Sequence, residues 1–179
     1  MKFSTIFLDR DGVINRKLEN DYVKNWSEFE FLSGVKEALA QLTAAQLRLI
    51  IITNQRGISR GIMSESDAQN VHQQLQAELA ASGANISGIY HCPHDNHQCS
   101  CRKPDVGLFL NAKKDFPEID FEKSVMIGDS VTDLEAGSRV GCATIFINPS
   151  SKLLIPDPHS FNLLGEAESL IKATTKYLL

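Results

Sequence analysis

Short apolar runs recur along this chain, and each closes on polar residues. They are Phe3–Leu8 before Asp9, Arg48–Ile52 before Thr53, Ile86–Tyr90 before Cys92, Ser124–Ile127 before Asp129 and Ala143–Ile147 before Asn148. Runs of this length, apolar at consecutive positions, suit strands buried on both faces of a parallel sheet. Between them the apolar spacing changes to the helical period. Val35, Leu39 and Leu42 follow Gly34. Val71, Leu75 and Leu79 form a second stripe, which opens at Ser64 with Asp67 three residues on, the pattern of a capping box. Gly83 is placed to end that helix. Asp105–Phe116, Thr132–Val140 and Glu166–Leu178 read as three more. Strand alternating with helix predicts a doubly wound α/β fold, a mainly parallel sheet with helices on both faces.

The intervening stretches, Asn15–Phe29, Gln55–Met63, His91–Pro104 and Asn148–His159, read as loops. No repeat or linker divides the 179 residues, so residues 1–179 are expected to form one domain with no separate cap. In such a sheet, ligands bind beyond the carboxyl ends of the strands. The polar residues that close the apolar runs are therefore where chemistry is sought.

Composition removes some classes of function. With a formal charge of −4 and no Lys/Arg-rich stripe, the chain lacks the basic footprint of a nucleic-acid binder. No apolar run approaches the ~18–20 residues of a membrane helix. The apolar start, Met1 to Leu8, is cut short by Asp9, Arg10 and Asp11, unlike a secretory leader. A cytoplasmic protein with no membrane or nucleic-acid partner is expected, and there thiols stay reduced.

Asp9 and Asp11 are two residues apart where a strand ends, so both carboxylates can address one site. Gly12 permits a sharp turn after them. Thr53 and Asn54 end the Ile-rich strand and offer a hydroxyl, an amide and backbone donors to phosphate oxygens. Lys103 can neutralise phosphate charge. Asp129 ends a further strand, with Asp133 four residues on, and carboxylates with waters and phosphate oxygens are the usual way to hold Mg²⁺. Nucleophile, acid/base, metal and cation together are the parts that phosphoryl transfer needs.

Cys92, His94, Cys99 and Cys101 form C-x-H-x4-C-x-C. Three thiolates and an imidazole would close a tetrahedral zinc site with no open position. Buried free thiols and a surface disulfide are the alternatives, and His97 could replace His94. Cys142, alone beside an apolar strand, is expected to be a core thiol. His91 is expected at a strand end, and His72 and His159 in solvent.

Asp9-Arg10-Asp11-Gly12, Thr53-Asn54, Lys103 and Gly128-Asp129 resemble the four motifs of the haloacid dehalogenase superfamily, in order, over residues 9 to 133. The resemblance implies a Rossmann-like fold in which Asp9 attacks phosphorus and forms an aspartyl-phosphate. It implies that Asp11 protonates the leaving oxygen and then deprotonates the hydrolytic water. Mg²⁺ would lie between Asp9, the Asp11 carbonyl and Asp129, while Thr53 and Lys103 hold the phosphoryl group.

The cysteine loop, continued through Arg102-Lys103-Pro104, and the stretch Gln55-Arg56-Gly57-Ile58-Ser59-Arg60-Gly61 narrow this likeness. They are similar to those of the D-glycero-D-manno-heptose 1,7-bisphosphate phosphatases and the related histidinol-phosphatase domains, both capless with a zinc loop. That resemblance implies substrate contacts from Glu19, Asn20, Asp21, Tyr22, Thr53, Asn54, Gln55, Arg56, Arg102 and Lys103. It implies a small phosphorylated sugar as partner, Mg²⁺ and Zn²⁺ as cofactors, and a monomer. The expected reaction is removal of the C7 phosphate, on the way to ADP- or GDP-heptose for a surface polysaccharide. Hydrolysis of histidinol phosphate or another small sugar phosphate is the alternative. Zinc would stiffen the loop that aims Arg102 and Lys103.

Overall fold

A computed structural model describes residues 3–149 and 160–179. The five expected strands are present as β1 (Thr5–Leu8), β2 (Arg48–Asn54), β3 (Ile86–Cys92), β4 (Ser124–Gly128) and β5 (Ala143–Ile147), with a sixth, β6 (Leu163–Ala167). The order is β3-β2-β1-β4-β5-β6, and every pairing is parallel. The helices are α1 (Val35–Ala44), α2 (Glu65–Ala81), α3 (Gly107–Asp115), α4 (Val131–Arg139) and the short α5 (Leu170–Ala173), which runs on as a wider π turn over Thr174–Leu178.

Strand alternation divides the core. Ile6, Leu8, Leu49, Ile51, Val125 and Ile127 meet Leu39 and Leu42 of α1, Leu75 and Leu79 of α2, and Leu170 of α5 on one face. Phe7, Ile50, Ile52 and Met126 meet Leu108 and Phe109 of α3 and Ala136 of α4 on the other. Each strand is thus apolar at consecutive positions because each face has its own helical layer. Each such fully buried side chain contributes roughly 1.5–3 kcal/mol. The capping box of α2 is formed as expected: Asp67 N–H donates to Ser64 Oγ at 3.1 Å, and Ser64 N–H donates to Asp67 Oδ2 at 2.8 Å.

Two expectations change. The helix expected from Glu166 starts at Leu170, because Glu166 and Ala167 complete β6. This edge strand has one neighbour, β5, and its five residues include Gly165, so it leaves too little apolar pattern to read. His72, expected in solvent, is 7% exposed on the inner side of α2. The expectation for His159 lies outside the described residues, as does most of the Asn148–His159 loop. Among the described residues, no helix is long and apolar enough to cross a membrane.

The strand order reverses direction at the β1/β4 boundary, the position where an open sheet forms a crevice. Gly12 makes that crevice tight. Its φ is +93°, and a Cβ there would lie 2.2 Å from Asp129 Oδ2. Gly12→Ala is expected to cost about 1–3 kcal/mol through backbone strain and to push the Asp129 carboxylate aside. A thermal melt should show the lower Tm, and phosphate release the loss of activity.

Candidate active site and zinc loop

Asp9 continues β1 by one residue, its N–H donating to Ile127 O of β4 at 2.9 Å. Its carboxylate meets the ammonium of Lys103, which donates to Asp9 Oδ1 at 2.8 Å and to Ile52 O at 2.8 Å and lies 2.7 Å from Asp133 Oδ1. Lys103 is 3% exposed. Burial by itself would lower its pKa, but Asp133 and Asp9 lift it above the ordinary lysine range. Burial raises the Asp9 carboxyl to about 7; Asp133, Asp129 and Asp11 add to the rise and Lys103 opposes it.

Asp11 is held differently. Arg10 and Asn15 donate to its Oδ1 at 3.1 and 2.9 Å, and Gln55 donates to its Oδ2 at 2.9 Å. Burial pushes this carboxyl up, yet the Arg10 charge and the three hydrogen bonds outweigh it and keep Asp11 below the usual carboxylate range. Gln55 also donates to Thr53 Oγ1 at 2.9 Å, so the expected acid/base and an expected phosphate-facing hydroxyl share one amide.

Asp9, Asp11, Thr53, Asn54, Arg102, Lys103 and Asp129 line one cleft of about 230 Å³. An outer hollow of about 430 Å³ shares Asn54, Arg102 and Lys103 with it and extends to His97 and Arg139. The Asn54 amide has a further task. It donates to Lys103 O at 3.0 Å and accepts from Lys103 N–H at 3.1 Å, clamping the backbone that carries the lysine.

Other expected substrate contacts lie away from this lining. Asp21 accepts from Lys24 Nζ at 2.7 Å. The Tyr22 ring stands against Gly57. Glu19 and Asn20 are exposed on the same loop. Gln55 is buried beneath the cleft, and Arg56 pairs with Asp95. Sequence reasoning missed Lys17, whose ammonium donates to Asp129 Oδ2 at 2.7 Å. It also missed Arg10 and Asn15, both 0% exposed behind Asp11. Lys17 had no signal beyond being a basic residue in a loop. Arg10, flanked by two candidate carboxylates, did.

The carboxylate oxygens of Asp9, Asp129 and Asp133 lie within 4.8 Å of one another. Asp129 Oδ1 is buried with no hydrogen-bond partner, and burial raises the Asp129 pKa against the pull of Lys17. Clustered hard oxygens, one of them unsatisfied, fit Mg²⁺. Asp133 is already engaged: it caps α4 by accepting from Ser130 N–H at 3.1 Å and pairs with Lys103. Asp9 and Asp129 pair with Lys103 and Lys17 through one oxygen each, which leaves Asp9 Oδ2 and Asp129 Oδ1 to face a cation.

In the zinc loop, Cys92, Cys99 and Cys101 are free thiols, as is Cys142 in the core, so no disulfide of the alternative reading is formed. The Cys92, Cys99 and Cys101 sulfurs lie 3.2–3.5 Å apart, and His94 Nδ1 lies 3.6 Å from Cys92 and 3.5 Å from Cys101. Zn–S bonds of ~2.3 Å in a tetrahedron would put sulfurs ~3.7 Å apart, so the cluster fits a zinc ion with a small expansion. His97 lies outside the cluster. Burial and the neighbouring Cys92 and Cys99 sulfurs push the Cys101 thiol up, and a bound cation reverses that repulsion. Cys142 is a buried core thiol, and burial lifts it to about 12.

The model of the family described as polynucleotide kinase 3 phosphatase matches residues 4–143. A D-glycero-alpha-D-manno-heptose-1,7-bisphosphate 7-phosphatase of Mycobacterium bovis is 41% identical over 90% of this chain and 87% of that protein. The chain belongs to this phosphatase family, on the branch of the heptose bisphosphate 7-phosphatases. A second member of the branch, the D-glycero-beta-D-manno-heptose-1,7-bisphosphate 7-phosphatase of Escherichia coli O6:H1, is 33% identical over 96% of this chain and 95% of its own. The crystal structure of the D,D-heptose 1,7-bisphosphate phosphatase from B. bronchiseptica, complexed with magnesium and phosphate, superposes with a TM-score of 0.86. It is 28% identical and covers 98% of each chain. The parallel, doubly wound architecture expected from the motifs is thus the observed one, and a heptose bisphosphate phosphatase shares it.

Two measurements test this geometry. Cys99→Ser should strip zinc from the purified enzyme, by elemental analysis, and lower both Tm and phosphatase activity. Full activity in the zinc-free protein would contradict a role for the clip. His72, held neutral by burial and the Arg10 charge with a pKa of about 3, should keep an unchanged ring-proton NMR shift as the pH is lowered through the ordinary histidine range near ~6.5. Its folded pKa is depressed, so between pH 6.5 and about 3 the unfolded chain binds the extra proton, and stability falls as pH falls.

Proposed function

We propose that the chain is a magnesium-dependent phosphatase that removes the C7 phosphate of D-glycero-D-manno-heptose 1,7-bisphosphate. The observation that carries this reading is the meeting of Asp9, Lys103 and Asp129 in one cleft, in a chain 41% identical to a 7-phosphatase. Asp9 Oδ attacks phosphorus, the bond to the sugar oxygen breaks, and an aspartyl-phosphate forms. Water then attacks the same phosphorus and frees Asp9 and inorganic phosphate.

Lys103 keeps Asp9 oriented and offsets the phosphate charge, and Thr53 adds a hydroxyl in the same cleft. Asp9 and Asp129 would hold Mg²⁺, which supplies positive charge to the phosphate oxygens and lowers repulsion of the dianion. Asp11 moves protons. Arg10, Asn15 and Gln55 favour its ionised form, the form that takes a proton from the hydrolytic water. Arrival of a phosphate dianion beside it raises its proton affinity and prepares it to protonate the departing sugar oxygen. Arg102, lining both cavities, is suited to the rest of a bisphosphate, with Arg139 and His97 farther out.

A phosphate-release assay with Mg²⁺ tests the substrate, using both anomers of the bisphosphate and histidinol phosphate as comparator. The expected outcome is a higher kcat/KM for the heptose compound, since specificity is that ratio. The reverse order would overturn the proposal. Asp9→Asn should reduce turnover at least ~10³-fold, the scale on which loss of a nucleophile is felt, with Tm showing that the variant is folded.

A further inference from the structure

Arg10 sits between the two carboxylates of the opening motif, and no step above uses it directly. Its side chain is 0% exposed. One terminal nitrogen donates to Asp11 Oδ1 at 3.1 Å, and the other lies 3.1 Å from Nε2 of His72 on α2. Its Nε has no hydrogen-bond partner. The guanidinium is therefore gripped at its two tips and nowhere along its stem. A guanidinium only donates, so His72 Nε2 accepts and the ring proton resides on Nδ1. The His72 ring packs beside His91, with centroids 5.3 Å apart, and its neutral state agrees with this acceptor role.

We propose that His72 is a positioning residue for the phosphatase reaction: by accepting from Arg10 it fixes the guanidinium, and through it the Asp11 carboxylate, for proton transfer to the leaving oxygen. Among the described residues, the only ion pair of Asp11 is the one with Arg10. Held at both tips, the planar fork presents a fixed donor to Asp11 Oδ1; released from His72 it can tilt, and Asp11 then keeps only its Asn15 and Gln55 hydrogen bonds in place. Proton transfer tolerates little of this, since a misplacement of about 1 Å can cost ~10²-fold in rate. The inference rests on the acid/base reading of Asp11.

The test compares His72→Leu, which fills the space without an acceptor, with His72→Gln, whose amide oxygen reaches to about where Nε2 lies. kcat/KM is measured for heptose bisphosphate and for p-nitrophenyl phosphate, because it covers every step up to departure of the leaving group. The sugar oxygen needs a proton to leave, and nitrophenolate does not. We expect His72→Leu to lose ~10- to 100-fold on the sugar and less than about threefold on the aryl ester, with His72→Gln within about threefold of wild type on both. Equal losses on both substrates, or no loss, would overturn the proposal. Zinc content and Tm establish folding. If the leucine variant does not fold, His72→Asn, whose acceptor falls short of Arg10, carries the same expectation. Asp11→Asn is measured alongside. Should it retain wild-type kcat/KM on the sugar, the acid/base reading itself falls. Should it collapse while His72→Leu is unaffected, only the role of His72 falls.

Discussion

One ammonium group, almost sealed from water, holds this site together. Lys103 reaches Asp9 beyond β1, Asp133 on α4 and the Ile52 carbonyl of β2, from a backbone that belongs to the zinc loop. Four separate parts of the fold therefore close on a single positive charge. Two carboxylates could not share that dry pocket without it. Removing one partner of such a buried pair typically costs 3–5 kcal/mol, because the other charge is left uncompensated. The same cation that makes the pocket foldable also pulls the nucleophile toward its ionised form and aims it, so stability and chemistry draw on one interaction here.

The position of Lys103 is itself secured from two directions. Asn54, the last residue of β2, grips the lysine backbone through both ends of its amide. On the far side, the cysteine cluster gathers Cys92, which ends β3, with Cys99 and Cys101, which lead directly into Arg102 and Lys103. Arg102 then donates to Asn96 Oδ1 at 2.9 Å, inside the loop that the clip closes. Asp95 of the same loop pairs with Arg56 and lies 3.5 Å from Arg60. A stretch of about ten residues without regular structure thus takes its shape from the sheet at both ends and from a metal-ready cluster in its middle.

Much of this was legible along the chain because it rests on pattern. Buried parallel strands announce themselves as unbroken apolar runs, and each of the five that were read closes at or just past its carboxyl end on the residue that was expected to close it. Asp9, Thr53 and Asp129 were found at strand ends, and Lys103 just after the cysteine loop, because phosphoryl transfer demands those groups. β6 was not, since an edge strand of five residues has too little buried surface to leave a signature. His72 was misread as solvated because one histidine on an amphipathic helix carries no sign of the arginine beneath it. That pairing spans 62 positions. Asn54 and Gln55 were read as facing substrate; Asn54 does line the cleft, and the amides of both are also engaged, with Lys103 and with Asp11 and Thr53. Local type predicts what a side chain can bond to; only the fold decides which partner it meets.

The strands that end in the reactive groups are β1, β2 and β4, and each has a neighbour on both sides. Backbone in the middle of a sheet opens last, close to the global unfolding limit, while peripheral loops open at far smaller cost. Asp9, Thr53 and Asp129 are therefore expected beside the slowest-exchanging backbone, and the exposed Glu19–Asp21 stretch beside backbone that exchanges sooner. Local opening strips away the surfaces that would read a sugar before it disturbs the surfaces that would break a phosphate ester. A partly opened molecule of this design is promiscuous before it is dead.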